Sequence, residues 1–363
     1  MPFYRLLRPL ICLALIPWLT ACADARYYLQ SVGGHFEMLQ ATRPVEQWLG
    51  DAQVAPALKQ RLLLSQRIRQ FAVTELQLPD NASYHRYADL QRKAVVWNVV
   101  AAPEWSLTLK TWCFPVAGCV GYRGYFNEAD ARQEAQALSA QGFEVSVYGV
   151  PAYSTLGWLN WLGGDPLLNT FINYPEGELA RMIFHELTHQ VVYAPDDTLF
   201  NESFATAVER LGGERWLSQH GSPEAKKEYL VLDGRRQQFR ALLRSTRSQL
   251  ADIYKENKPL THVVHAQAAM KNIAMQEFRN NYAQLKSSWG GYSGYDAWVA
   301  GANNAAFGAQ AAYDEWVPAF EALFEQQGQN WAQFYEAVRR LSQQSEPDRS
   351  RTLNQLKTER LRG

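Results

Sequence analysis

Residues 176–210 read EGELARMIFHELTHQVVYAPDDTLFNESFATAVER, and how this stretch folds decides how the rest must pack around it. Its middle is His185-Glu186-Leu187-Thr188-His189. On a helix, residues four apart share one face, one turn up. His185 and His189 can therefore offer ring nitrogens to a single ion. Glu186, about 100° further round the helix, can reach a water beside that ion. The flanks favour a helix. Pro175 suits a first turn, Glu176 and Glu178 complement the positive helix end, and Leu179, Met182, Ile183 and Leu187 recur at helical spacing.

A catalytic metal of the zinc type takes three protein ligands and keeps one position open. Downstream, Asn201-Glu202-Ser203-Phe204-Ala205 opens a second helical pattern (Phe204, Val208, Leu211), expected to stop at Gly212-Gly213. The link Tyr193 to Leu199 carries Pro195, Asp196 and Asp197, which is turn chemistry. A turn there folds the second helix back on the first, so that Glu202 faces the histidine pair. Glu209, seven residues further on nearly the same face, is a candidate to orient a ligand histidine; an exposed position is its alternative.

An H-E-x-x-H helix followed by an N-E-x-x-A helix resembles the gluzincin metallopeptidases, whose third ligand is that glutamate. The wider run FHELTHQ…FNESFAT…VERLGG resembles the bacterial family labelled predicted aminopeptidase, a set of lipid-anchored gluzincin-like proteins. The resemblance implies one Zn2+ per chain, held by His185, His189 and Glu202, with Glu186 as general base. Glu202 lies thirteen positions after His189, a shorter gap than in the best-known gluzincins, so little loop is left between the helices.

Upstream, Arg5 and Arg8 precede an apolar stretch, Leu10 to Leu19, which is short for a bilayer span. It ends Leu19-Thr20-Ala21-Cys22, which resembles a bacterial lipobox, with Cys22 as the acylated first residue of the mature chain. An ordinary signal peptide cut near Ala21 or Ala23 is the alternative. Ala23 after the cysteine points to the outer membrane, by analogy with lipoprotein sorting. Cys113 and Cys119 then stand as a pair separated by five residues that include Pro115 and Gly118. In an oxidising compartment they can close a small disulfide loop; a metal pair is the rival reading. Lys and Arg (36) balance Asp and Glu (36), and no basic block exists of the kind that tracks phosphates, which argues against nucleic acid.

The remaining chain divides by pattern. Residues 1–21 are the lipoprotein signal peptide, and 22–83 an N-terminal helical segment. Residues 84–222 form the zincin-like α/β part with the metal helices, 223–344 a helical part, and 345–363 a polar tail, frayed or loosely helical. Strands are expected at 94–100, 106–112, 118–125 and 143–150, with a helix over 127–141 capped by Asn127 and stopped by Gly142. A long charged helix over 224–257, broken at Gly234, a helix over 262–289 and two more separated near Gly328 follow. The fold class is therefore α+β, predominantly helical, with a zincin-like (gluzincin) core, a small N-terminal β-sheet and a helical C-terminal part.

Substrate contacts are harder to place. The segment Thr155 to Ile172 is the candidate edge strand for extended substrate. Asp165 is the candidate carboxylate for a substrate's amino terminus, and Tyr292 and Tyr295, in a Gly-rich aromatic segment, are candidate oxyanion donors. His262 and His265 form a possible second metal pair, or ordinary helix positions. The resemblance implies a lipid-anchored envelope zinc metallopeptidase facing the periplasm, acting on peptides or unfolded protein as an aminopeptidase. A zinc endopeptidase of envelope quality control, or a zinc-retaining binding lipoprotein without turnover, are the alternatives.

Overall fold

A computed structural model describes residues 26–362 apart from 115–117, 153, 156, 158–162, 256–260 and 311–314. The expected lipobox with Cys22 and the preceding apolar run lie outside the described residues. The chain is α+β and predominantly helical. It opens with a helix over residues 26–40 (α1), then a short strand Arg43–Pro44 (β1), helices Val45–Gly50 (α2) and Pro56–Thr74 (α3), and strand Arg86–Ala88 (β2). Strands Val96–Pro103 (β3), Trp112–Phe114 (β4), Gly118–Val120 (β5) and Arg123–Tyr125 (β6) follow, then helix Glu128–Ser139 (α4) and strand Phe143–Val150 (β7). A two-residue strand, Leu167–Leu168 (β8), leads into helices Glu176–Thr188 (α5) and Thr198–His220 (α6).

Sheet order explains where the cavity lies. β3 is central in an antiparallel sheet β6-β3-β7, while β2 pairs with β1 antiparallel and with β8 parallel in a second small sheet. The expected strand over 106–112 is not formed. Residues 104–111 run as turn and irregular chain, and only Trp112–Phe114 pairs, with Gly118–Val120. That hairpin sets Cys113 opposite Cys119, and the two are disulfide-bonded. α4 begins and ends as its sequence predicts: Asn127 Oδ1 accepts from Ala129 N–H at 2.8 Å, and Gly142 takes a left-handed φ of 86° just beyond the end.

The main core gathers α3, α5, α6 and the last three helices of the chain, with apolar side chains from Met38 to Leu356. Before them come Pro223–Lys255 (α7), Thr261–Ser288 (α8), Asp296–Ala300 (α9) and Asn304–Gln310 (α10), so Val317–Gln326 is α11, Trp331–Ser342 is α12 and Glu346–Arg362 is α13. α7 and α8 pack on each other in a second apolar cluster with Phe239, Phe278 and Phe307.

Three expectations change for physical reasons. α6 does not stop at Gly212-Gly213 but runs on to His220. A Cβ on Gly212 would sit 2.6 Å from Leu76 Cδ1 and 3.0 Å from Phe184 Cδ2, so this glycine lets α6 approach α5 and the turn after α3 closely rather than ending the helix. α7 passes unbroken through Gly234, because one glycine costs only about 1 kcal/mol in a long helix. The polar tail is a regular helix, α13, docked by buried Leu353 and Leu356 and by Arg349, whose Nη2 meets Asp197 Oδ2 at 2.7 Å.

Candidate metal centre

α5 and α6 form an antiparallel pair whose short connection is held by side chains. α5 ends at Thr188, with His189 still helical in conformation as its C-cap. Asn201 then clamps the turn: its Oδ1 accepts from Ala194 N–H at 2.8 Å and its Nδ2 donates to Ala194 O at 2.8 Å. Asp197 caps α6 by accepting from Phe200 N–H at 2.9 Å. Asp196 Oδ1 accepts from Cys119 N–H at 2.6 Å, so the disulfide hairpin is fastened to the same turn. These contacts resolve the shortness of the His189–Glu202 gap: a tight, doubly bonded turn replaces a long loop.

The turn delivers Glu202 to the histidine pair. His185 Nε2 lies 3.1 Å from His189 Nε2 and 3.3 Å from Glu202 Oε2, and His189 Nε2 lies 3.8 Å from the same oxygen. A four-coordinate ion with bonds of about 2.0–2.2 Å needs donor atoms roughly 3.3–3.6 Å apart. The 3.3 Å side falls in that range and the 3.1 and 3.8 Å sides lie about 0.2 Å outside it, and among the described residues these three form a group that could hold a metal ion. The donor set, two imidazoles and one carboxylate, also suits zinc chemically and leaves a fourth position open.

Behind the triangle stands a buried ionic support. His185 Nδ1 donates to Glu209 Oε2 at 2.9 Å, which turns Nε2 towards the cavity. Glu209 is bonded on its other oxygen by Arg181, and Arg181 Nη1 also meets Asp233 Oδ1 at 3.3 Å. Burial works against the Glu209 charge, but Arg181 and His185 outweigh it and hold its carboxyl down at about 2. Glu209 is therefore a constant acceptor. Burial pushes His189 down to about 4, so its ring is neutral at pH 7.

Glu186, His185, His189 and Glu202 line one cavity of about 600 Å³. Its floor is α5 and α6; its opposite wall comes from β3 and β6 (Val96, Asn98, Gly124), and α1 closes one side with Tyr27, Tyr28 and Ser31. Burial raises the Glu186 carboxyl to about 7, with His185 pulling it down and Glu202 pushing it up. Tyr122 and Tyr193 also line the cavity, and burial raises the pKa of both, so both hydroxyls keep their protons at neutral pH. Arg240 on α7 reaches the same cavity.

The other candidates lie elsewhere. Asp165 is 1 % exposed and does not line the cavity. Its Oδ1 accepts from Thr155 N–H at 3.0 Å and its Oδ2 from Gln190 Nε2 at 3.2 Å, and burial raises its pKa to about 6. It is thus occupied in tying residue 155 to the end of the metal helix, rather than placed to meet a substrate amine. The same bond consumes a backbone donor of the expected edge segment; 158–162 lie outside the described residues. Tyr292 and Tyr295 face the α7–α8 cluster, Tyr295 stacking on Phe239 at 4.1 Å, and neither lines the cavity. His265 is exposed, and nothing is described of the His262 side chain. Sequence reasoning missed Tyr122, Asn98 and Arg240, which no motif marks. Tyr193, four residues after His189, lies beyond the end of α5, so helical spacing could not have found it either.

His185, His189 and Glu202 on a helix pair, with Glu186 beside them in a shared cavity, form a group that could hold a metal ion next to an acid–base carboxylate. The chain belongs to the family described as "Putative aminopeptidase", whose profile matches residues 26–353. No curated protein and no solved structure matches it.

Proposed function

We propose that this chain is a zinc-dependent peptide hydrolase of aminopeptidase type, anchored by lipid at Cys22 in a bacterial envelope and facing the periplasm. The observation that carries the reading is the convergence of His185 Nε2, His189 Nε2 and Glu202 Oε2 within a cavity that Glu186 also lines. Family membership supports a peptidase-like activity. The α5–α6 pair facing the β6-β3-β7 sheet is what we read as the zincin-like core, and Leu19-Thr20-Ala21-Cys22 supports the anchor.

Zinc held by the three ligands would supply Lewis-acid polarisation of a peptide carbonyl. The chain supplies the rest. Glu186, with a carboxyl near neutrality, is matched both to take a proton from an attacking water and to give it to the leaving amine. Protonated Tyr122 and Tyr193 offer donors to the oxygen that gains charge. Tyr27, Val96, Val120 and Met182 give an apolar wall for a substrate side chain and exclude water around it.

Metal analysis with a peptide-library cleavage map tests the reading. The expected result is about one zinc per chain, trimming of free amino-terminal peptides one residue at a time, and sparing of N-acetylated copies. Glu186→Gln should keep the metal and lose about 10²–10⁴-fold in turnover, while Glu202→Ala loses the metal. Cleavage of blocked and free peptides at the same internal bonds would select an endopeptidase. Zinc bound without cleavage of either would leave a binding protein.

A further inference from the structure

The first described helix turns the wrong face outwards for a soluble surface. Of the eight large apolar side chains exposed among the described residues, four sit on α1: Leu29 (73 % exposed), Val32 (54 %), Phe36 (50 %) and Tyr28 (43 %). At about 100° per residue they fall in one arc about 100° wide, the width of a stripe that normally faces a core. The opposite face is already used. Tyr27 packs on Phe114 and Tyr125 with ring centroids 5.6 and 5.5 Å apart, Gln30 Oε1 accepts from Phe126 N–H at 3.1 Å, and Met38 is buried. Gly34 lies so close to Phe126 that a Cβ there would meet its ring carbon at 2.3 Å. The helix is therefore fixed in rotation, and the apolar stripe cannot turn inwards.

What covers the stripe follows from the chain that precedes it. Only three residues lie between Cys22 and Arg26, the first described residue of α1, and a step of four positions spans at most about 14 Å. An acyl chain on Cys22 would hold the start of α1 within the headgroup region or just above it. No described helix is long and apolar enough to cross a membrane, so contact there is along a face rather than through a span. A helix with one apolar arc lies in the interface plane with that arc sunk about 5–10 Å.

We infer that α1 docks on the lipid bilayer through Leu29, Val32 and Phe36, with Tyr28 at the edge of the contact. This rests on the lipid-anchor part of the proposed function. It has a consequence for access: Tyr27, Tyr28 and Ser31 line the cavity, so the α1 wall of the cavity is held against the membrane surface.

The test uses the full chain, purified from membranes and reconstituted in phosphatidylethanolamine–phosphatidylglycerol vesicles containing brominated lipid. A fluorophore is attached through Phe36→Cys, or through Leu63→Cys on α3 as an equally exposed control; Cys113 and Cys119 are bonded and unavailable. Mass spectrometry of the mature N-terminus is run on the same preparations. Quenching at position 36 several-fold stronger than at position 63, in an acylated chain, is the expected result. Equal or absent quenching at position 36 in an acylated chain overturns the docking while leaving the anchor standing. An unacylated N-terminus overturns the anchor, and with it the tether on which the docking depends.

Discussion

Glu209 performs two tasks at once, and substitution can separate them. It accepts from His185 Nδ1 at 2.9 Å, which orients a ligand ring, and it neutralises Arg181, whose side chain is 4 % exposed. Removing a carboxylate that orients a ligand histidine weakens metal binding by about 10–100-fold, or roughly 1.4–2.7 kcal/mol. Removing one partner of a buried ion pair costs about 3–5 kcal/mol, because the other charge is stranded. Asp233, 3.3 Å from Arg181, keeps part of that compensation, so the low end, about 3 kcal/mol, is expected for Glu209→Ala. Glu209→Gln retains an oxygen for His185 but no charge for Arg181. It should therefore lose stability with a smaller loss of metal affinity. Zinc affinity is read by competition with a chromophoric chelator, and stability by urea unfolding monitored by circular dichroism. The two variants should lie close together in stability and apart in metal affinity. If Glu209→Ala folds and binds zinc as tightly as the parent chain, the carboxylate serves Arg181 alone and the ligand-orienting argument is wrong.

Three further outcomes are expected. Gly212→Ala should cost about 1–3 kcal/mol in urea unfolding, because its Cβ would press on Leu76 and Phe184; an unchanged midpoint would mean that α5 and α6 are not in close contact there. Asp165→Ala should lower stability by about 1–3 kcal/mol by removing the acceptor of Thr155 N–H and of one Gln190 Nε2 bond, with the ratio of KM values for free and N-acetylated peptides unchanged. A selective rise in KM for free peptides would return Asp165 to the substrate's amino terminus. Replacing both Cys113 and Cys119 by serine opens a loop with a sequence separation of 6 and should cost about 2 kcal/mol. Two titratable thiols in the unreduced native chain would contradict the bond.

The candidate metal group was legible because helical spacing is a local property. His185, Glu186 and His189 need only 3.6 residues per turn to share one side of α5. Glu202 needed one further local fact, a turn between Tyr193 and Leu199. Strand β7 and helix α4 were legible for the same reason, since alternation, an Asn cap and a Gly stop act within a few residues. What tertiary structure decided were contacts between parts remote in the chain. Gly212 looks like a helix stop until Leu76 and Phe184 arrive beside it. Asp165 looks like a free acid beside an edge strand until Gln190 and Thr155 occupy it. The tail looks solvated until Arg349 finds Asp197, 152 residues away. Tyr122 and Arg240 reach the cavity from the link between β5 and β6 and from α7, and no spacing within either segment could announce it. Periodicity names the face that a residue occupies; only packing names what that face meets.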